Sequence, residues 1–369
     1  MSVAEEITRI KEAKENLKTS INAKLSDSQT KITDELISSY STFVDSIEGG
    51  VNINDYFMTE GLTRYKYTLQ NLIKKTPAFN VTGLTSLSSM FSGCSSLIDV
   101  SLFDTSNVTN MSSMFYGCTD LTTVPLFNTG NVTNMSSIFS SCTSLTTIPL
   151  LDTSKVTNMD NTFGNCNKLV RIPLLNTSKV TDMSNMFDYC TSLVEIPLLD
   201  TSNVTKMSNM FRRCTSLTTI PLLDTSKVTN MQQIFDTCTH LTTVPLLNTS
   251  KVTSIQAMFQ SCSSLQSVPS LDLSAATYAF SMFSGCTALE NISQFNCPNA
   301  INANNMFGGC INLTEQSLNN ILGTCITMVK ISSSSKTLKY IGLTSAQATT
   351  CEGLSNYQAF LDAGWTTGY

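Results

Sequence analysis

A 24-residue spacing of cysteine, phenylalanine and leucine restricts the folds open to this chain. Ten cysteines, the first Cys94 and the last Cys310, follow one another at this interval without an insertion. A phenylalanine precedes each of these cysteines by three residues, and a leucine follows it by three. Because so short a unit can bury its apolar side chains only against its neighbours, ten successive copies indicate a solenoid.

The unit at residues 145–168 shows how one coil is expected to run. Segment 145–150 is typical of a short strand, Asp152 begins a turn, and segment 156–159 is typical of a second extended piece. Segment 160–166 is expected to form one helical turn, because apolar side chains are spaced there by four residues. The recurrent apolar positions predicted to form the core are Leu145, Ile148, Leu150, Val156, Met159, Phe163 and Cys166.

In a stack of in-register coils, equivalent side chains of neighbouring units lie about 4.8 Å apart. The phenylalanines and methionines then form a continuous core, and the cysteines form a ladder of small buried side chains. This spacing also falls within the Cα separation that a disulfide requires, so a ladder of disulfides is the alternative. We favour free thiols, because the side chains are aligned in parallel and the sequence shows no export signal.

A column of aspartate and asparagine precedes the turn of each unit. It can be interpreted as a row of calcium ligands or as capping of the turn by the Asx side chain. We favour capping, because the glycine-rich pattern of calcium-binding repeats is missing from the sequence. The column consists of Asp104, Asn128, Asp152, Asn176, Asp200, Asp224, Asn248 and Asp272.

Composition excludes several classes of function. Charged residues make up 13% of the chain and the formal net charge is -5, which argues against nucleic-acid binding and a polybasic membrane patch. The sequence has no apolar run long enough for membrane insertion. His240 is the only histidine, so paired-histidine zinc sites are excluded. Phosphate-loop and nucleophile-elbow motifs are missing, and we therefore expect no catalytic residue, metal or cofactor.

The unit Asp-Thr-Ser-Lys/Asn-Val-Thr-Asn-Met-Ser-x-Met-Phe-x-x-Cys-Thr-Ser-Leu-Thr-x-Ile-Pro resembles the BspA-like leucine-rich repeat over residues 84–313. The resemblance implies a leucine-rich-repeat solenoid that binds partners rather than catalyses a reaction. Such repeats occur in bacterial surface adhesins and in bacteriophage virion proteins. Segments 4–21 and 342–365 are similar to the ends of phage tail, fibre and repeat proteins. Because no secretory signal is visible, we expect a virion protein made in the host cytoplasm, with a bacterial cell-surface adhesin as the alternative.

The ends of the chain are expected to carry helices. Residues 1–50 are predicted to dock onto other virion proteins or to form a homo-oligomer, with a trimer as our guess, and a helix folded back on its own chain is the alternative. Residues 51–83 are predicted to cap the first coil, and residues 314–369 to form a small helical cap on the last one. The apolar positions of the predicted N-terminal helix are Ile7, Ile10, Leu17, Ile21 and Leu25.

Positions that vary from one unit to the next are expected to lie on the surface. Tyrosine and arginine often anchor binding surfaces, so these positions are our candidates for contact with a host-surface protein or glycan. The alternative is that the charged members simply pair with their neighbours as exposed ions. The candidates are Tyr116, Arg171, Tyr189, Glu195, Arg212, Arg213 and His240, although the varied column of His240 also fits an incidental surface residue.

Overall fold

The structure of the protein is a computed structural model that describes residues 74–76, 81 and 83–369. The chain divides into one unit of residues 1–62 and 79–81 and a second unit of residues 63–78 and 82–369. Of the first unit only Val81 is described. The predicted helix with Ile7, Ile10, Leu17, Ile21 and Leu25 lies outside the described residues, as does most of the predicted cap at 51–83.

Stacked coils form the second unit. A row of parallel single-residue β-bridges joins each coil to the next at intervals of 24 residues. Within the described residues, β-pairing outside this row is limited to three further single bridges, so the predicted strand at 145–150 is wrong. Pro149 lies in that segment, and a proline has no N–H to donate to a ladder. The bridge row runs through Ser86, Asn110, Asn134, Asn158, Asp182, Lys206, Asn230, Ser254, Tyr278 and Asn302.

The predicted helical turn at 160–166 is also wrong, because its backbone hydrogen bonds alternate between two directions. The N–H groups of Asn161 and Asn165 donate to the next coil, to the carbonyls of Ser184 at 2.8 Å and Asp188 at 2.6 Å. The N–H of Phe163 also donates to the next coil, to the carbonyl of Met186 at 2.9 Å, whereas those of Thr162 and Gly164 donate within the coil, to the carbonyl three residues earlier. Asn161 and Asn165 have φ of 55° and 63°, which interrupts any right-handed helix. This segment therefore binds neighbouring coils together.

Ladders of identical side chains fill the centre of the stack. The Phe163 ring lies 5.9 Å from the ring of Phe139 and 5.6 Å from that of Phe187, measured between centroids, and the rings are nearly parallel. The Cys166 thiol donates to the carbonyl of Phe139 at 3.1 Å. Both ladders are buried throughout. The apolar positions that recur with the cysteines thus form the core, as the spacing predicts.

One predicted core position is wrong, because Leu150 is exposed and Leu151 is buried. Leu145, Ile148 and Leu151 face inward, so burial here recurs every three residues. In the predicted strand Leu150 would lie on the same face as Ile148, because side chains of a strand alternate between its two faces. Leu151 is therefore the core residue of this pair, and Leu150 lies on the surface.

Three helices follow the last coil: α1 (Glu315–Thr327), α2 (Ser345–Cys351) and α3 (Tyr357–Asp362), with a short 3₁₀ turn at Ser333–Ser335. The hydroxyl of Thr314 caps α1, and Thr344 forms a capping box with Gln347 at α2. Trp365 is buried beside Phe360 of α3, with ring centroids 5.9 Å apart. None of the described helices is long and apolar enough to cross a membrane.

Segment 338–341 forms a turn. Its carbonyl groups nevertheless continue the stack, because those of Tyr340 and Ile341 accept hydrogen bonds from Asn305 and Phe307, each at 2.8 Å. The segment therefore accepts the hydrogen bonds that a further coil would accept from the last coil, without forming a strand. In the two coils before it, small alanines take the place of larger core residues, and all four are buried: Ala276, Ala279, Ala300 and Ala303.

Candidate binding site

Three consecutive coils bring a tyrosine, two arginines and two aspartates together on one face. The backbone N–H of Tyr189 donates to the carbonyl of Arg212, and that of Arg213 to the carbonyl of Asp236, both at 2.7 Å. Asp188 precedes Tyr189 in its coil. These inter-coil hydrogen bonds fix the backbone under the side chains, and we call this group of five residues the Tyr189 cluster.

Arg212 and Asp188 form a two-point ion pair within this cluster. The Arg212 Nε donates to Asp188 Oδ1 at 2.9 Å, and Nη2 donates to Oδ2 at 2.7 Å. The side chains are 27% and 14% exposed, so the pair is half-buried rather than an exposed surface pair as predicted. The hydrogen bonds to Asp188 raise the pKa of the Arg212 guanidinium above its ordinary value. The pair therefore holds Arg212 in one orientation.

Both guanidinium groups also lie over the ring of Tyr189. The Arg213 Cζ is 4.5 Å from the ring centroid, and the Arg212 Cζ is 5.3 Å from it. These distances are in the range of cation–π interaction. Arg213 is exposed and Tyr189 is half-buried, so a positioned cation faces the solvent above a partly accessible ring.

The backbone at Tyr189 and Arg213 is left-handed, with φ of 59° at each residue. This conformation disfavours side chains and suits glycine, because a Cβ crowds the backbone there. Four coils have glycine at the equivalent position, as at Gly117 and Gly309, and four others have Ser141, Asn165, Thr237 and Ser261 there with the same positive φ. The left-handed conformation is therefore a property of the repeat, and what distinguishes this face is the pair of large side chains, Tyr189 and Arg213, that it carries there.

Asp236 is the most deeply buried carboxylate of the cluster. Burial raises its pKa above the ordinary value, while the Thr237 hydroxyl and the charges of Arg213 and Arg212 act in the opposite direction. Thr237 donates to Asp236 Oδ1 at 3.0 Å. The cost of burying this carboxylate is therefore offset in part by the nearby arginines and by Thr237.

The remaining predicted binding residues lie apart from the Tyr189 cluster. Tyr116 is on the same face three coils earlier and is 44% exposed. Arg171 and Glu195 belong to another column and form an exposed pair with one N–O contact of 3.6 Å. His240 is exposed, and its Nδ1 lies at hydrogen-bond distance from the Thr215 carbonyl. The structure therefore gathers three of the seven predicted residues into one site.

The aspartate column acts as turn caps, as predicted. Asp152 Oδ1 accepts a hydrogen bond from the N–H of Ser154 at 3.0 Å, and Asp200 accepts one from Ser202 at 3.0 Å. The bonds from Ser202 lower the pKa of Asp200. A second Asx column, which the sequence analysis missed, includes Asn158, whose Oδ1 accepts from the N–H of Asp160 at 2.9 Å. In the part of the chain that the structure describes, no group of three or more His, Cys, Asp or Glu side chains is arranged to hold a metal ion.

All thirteen cysteines are buried free thiols in the structure. Burial raises the pKa of Cys142 to about 12, and that of Cys166 well above its ordinary value. A thiol with a raised pKa contains little thiolate at neutral pH and is a poor nucleophile. The ladder thus has the properties of core packing rather than of a reactive site.

A row of exposed leucines is the surface feature that the sequence analysis missed. Each of its seven members is 61–65% exposed, and the row lies on consecutive coils. The signal was the Pro-Leu-Leu segment, whose first leucine falls out of the three-residue burial period. We call this row the leucine stripe, and it consists of Leu102, Leu126, Leu150, Leu174, Leu198, Leu222 and Leu246.

Solved structures of leucine-rich-repeat proteins are similar to this chain. A leucine rich cell surface protein from Faecalibacterium prausnitzii is 26% identical, with a TM-score of 0.38, over 59% of this chain and 58% of that one. A T. pallidum leucine rich repeat protein is 24% identical, with a TM-score of 0.33, over 43% and 72%. The functional domain of InlJ from Listeria monocytogenes, which includes a cysteine ladder, is 16% identical, with a TM-score of 0.24, over 70% and 57%. The chain thus spans less than two thirds of the Faecalibacterium and Listeria chains.

A family pattern matches the repeat region directly. It covers residues 60–173, 168–243 and 217–321 in three overlapping segments, which together make up more than half of the chain. No curated protein matches the chain significantly. On the extent of the family match, the chain belongs to the family described as Mycoplasma protein of unknown function, DUF285.

Proposed function

We propose that this protein is a non-enzymatic binding protein whose solenoid presents the Tyr189 cluster to a macromolecular partner. The observation that carries the proposal is the placement of the Arg212 and Arg213 guanidinium groups over the ring of Tyr189, with Arg212 held by two hydrogen bonds to Asp188. An aromatic ring and an arginine held in place by the fold lose little conformational entropy on binding. Tyrosine and arginine are also the side chains that most often anchor interfaces.

The reactive groups of the described chain support binding rather than catalysis. The cysteine thiols are buried, have raised pKa values where a shift is resolved, and along the ladder donate to backbone carbonyls. His240, the sole histidine, is exposed on a column where other coils have serine, such as Ser216 and Ser264. Nucleophilic catalysis by serine or cysteine with a histidine base needs these groups together in a cleft.

More specifically, we propose a structural subunit of a bacteriophage virion, as a head or tail fibre or decoration protein. The repeat and both chain ends resemble proteins of this kind, and this resemblance is what supports the assignment. In this proposal residues 1–50 dock onto other virion proteins or form a trimer, and the solenoid faces a host-surface protein or glycan. The alternative is a bacterial cell-surface adhesin with the same binding face.

Location distinguishes the two versions. An antibody against the full chain, followed by gold labelling in electron microscopy, would be applied to released particles and to intact cells of the producing bacterium. Labelled particles support the virion subunit, and labelled cell surfaces with unlabelled particles support the adhesin. If neither the particles nor the cell surfaces are labelled, both versions are contradicted.

Binding is tested with the fluorescent full chain on intact cells of the producing bacterium. The variant Y189G/R213G removes the ring and the exposed cation but keeps a residue that suits the backbone, as at Gly117. The matched control is S261G, at the same position two coils beyond Arg213 with φ of 58°. We expect cell binding to fall at least tenfold in Y189G/R213G and to persist in S261G. Equal binding by all three proteins contradicts the role of the cluster.

A further inference from the structure

The leucine stripe is an unusual surface for a chain whose other exposed positions are largely polar. Its seven side chains follow the coil spacing of about 4.8 Å, so they form one continuous apolar row. Scattered exposed leucines are ordinary, whereas contiguous apolar patches mark sites of association. The stripe ends where Ser270 and Gln294 occupy the same position in the last coils.

The apolar surface is widest on two central coils. Val170 and Val194 are 39% and 37% exposed, and they lie in the coils of Leu174 and Leu198. In the other coils that carry a leucine of the stripe, the residue equivalent to Val170 is threonine, except in the first of these coils, where it is Ile98. Interfaces concentrate their apolar contacts near the centre in this way.

The area of the stripe approaches that of one side of a stable interface. Burial of one leucine side chain removes roughly 60–120 Å² of apolar surface. Seven leucines, each about two-thirds exposed, therefore offer roughly 300–600 Å² before the valines and prolines beside them are counted. A standard interface buries about 800 Å² on each partner.

Two opposite charges lie beside the same central coils. Arg171 shares a coil with Leu174, and Glu195 shares the next coil with Leu198. Both charged side chains are well exposed, at 67% and 59%, and their contact with each other is a single long one of 3.6 Å, so a partner can still reach both. A partner that matches this surface needs apolar side chains at the coil spacing. It also needs a negative charge opposite Arg171 and a positive charge opposite Glu195.

We propose that the partner is a second copy of this chain, packed stripe against stripe in antiparallel orientation. A two-fold axis between the two central coils places Leu174 opposite Leu198 of the second copy, and Arg171 opposite Glu195 of the second copy. The same axis pairs Leu150 with Leu222 of the second copy. Such an interface is isologous and closed, so it yields a dimer of solenoids rather than a filament.

Sedimentation velocity of the full chain tests the stripe. The variant L174S/L198S removes two central leucines of the stripe. Because both are exposed, we expect their replacement to have little effect on folding. The matched control I311S/V329S removes two equally exposed aliphatic side chains outside the stripe. We expect the wild type and the control to have at least twice the weight-average mass of L174S/L198S, whatever assembly other segments form. Equal masses for all three proteins overturn the proposal.

A charge exchange tests the orientation of the two copies. In the proposed dimer R171E places two glutamates opposite each other, and E195R does the same with arginines, so each variant alone should associate at least tenfold more weakly. A mixture of the two variants restores opposite charges at both contacts. We expect the mixture to regain the wild-type mass. A mixture that associates no better than either variant overturns the antiparallel arrangement.

Discussion

The guanidinium of Arg212 makes two hydrogen bonds to the carboxylate of Asp188 on the preceding coil, at 2.9 and 2.7 Å. The chain contains a second arginine–carboxylate pair on adjacent coils, Arg171 with Glu195, which has one contact of 3.6 Å and is exposed. The two pairs have the same sequence separation of 24 residues and different surroundings. They allow the effect of burial on such a pair to be measured within one fold.

Replacing Arg212 by alanine should lower the free energy of unfolding by about 1–3 kcal/mol, because Asp188 is left half-buried without its partner. Replacing Arg171 should change it by about 0–0.5 kcal/mol, because Glu195 stays in water. Urea unfolding midpoints of R212A and R171A measure the difference. Equal midpoints would show that the Arg212 pair contributes no more than a surface pair.

The repeat spacing was sufficient to predict the interior of the solenoid. Identical side chains at a constant interval can stack only on one another, so Phe163 and Cys166 were placed correctly in the core. The prediction for Leu150 is wrong because segment 145–150 is not a strand and burial recurs there every three residues. The alternating hydrogen bonds of segment 160–166 depend on left-handed residues, which apolar periodicity does not reveal.

The candidate site was predictable in part for the same reason. Arg212 and Asp188 are 24 residues apart, and the coil spacing alone brings them together. The strained backbone of Tyr189 was missed, although glycine at Gly117 and Gly309 in the same column could have indicated a left-handed position. Burial of Asp236 depends on how its neighbours pack above it, which no single column shows.

Asp236 should make stability fall as the pH rises. Burial raises its pKa in the folded state, so between the ordinary value of 3.8 and the raised value the folded chain binds more protons than the unfolded one. Ionisation of Asp236 therefore opposes folding. The variant D236N lacks this penalty. We therefore expect the unfolding free energy of D236N minus that of the wild type to increase as the pH rises through the raised pKa.

The control for this pH dependence is D200N, for which the opposite sign is expected. Hydrogen bonds from Ser202 lower the pKa of Asp200, so its contribution to stability is present above 3.8 and is lost as the pH falls through the lowered pKa. Asparagine at Asn176 caps the same turn, so D200N keeps the local structure. Urea titrations between pH 3 and 7 compare both variants with the wild type. A D236N difference that stays constant with pH would contradict the effect of burial.

The cysteine ladder should be unreactive in the folded chain. Because burial keeps its thiols protonated, with the pKa of Cys142 and Cys310 raised to about 12, a disulfide reagent at pH 8 should label few of them. After unfolding in urea without a reductant, all thirteen cysteines should react. Mass spectrometry counts the labels in both states. Fewer than thirteen labels after unfolding would indicate disulfides instead of free thiols.

Removal of one ring from the phenylalanine ladder should weaken the solenoid near its middle. Phe211 is fully buried, with its ring centroid 5.6 Å from that of Phe187 and 5.7 Å from that of Phe235. F211A should lower the unfolding free energy by about 3–5 kcal/mol, because it leaves a cavity that rigid neighbouring coils cannot fill. V329A, at an exposed aliphatic residue outside the leucine stripe, should change it by less than about 0.5 kcal/mol.

Hydrogen exchange locates this effect along the stack. Each coil is stabilised by its nearest neighbours, so exchange should accelerate most in the coils of Phe187, Phe211 and Phe235 and less towards α1–α3. The N–H of Phe211, which donates to the Ile234 carbonyl at 2.9 Å, is a direct reporter. Uniform acceleration over the whole stack would instead show that the coils unfold as one cooperative unit, because loss of one ring would then be felt equally at every coil.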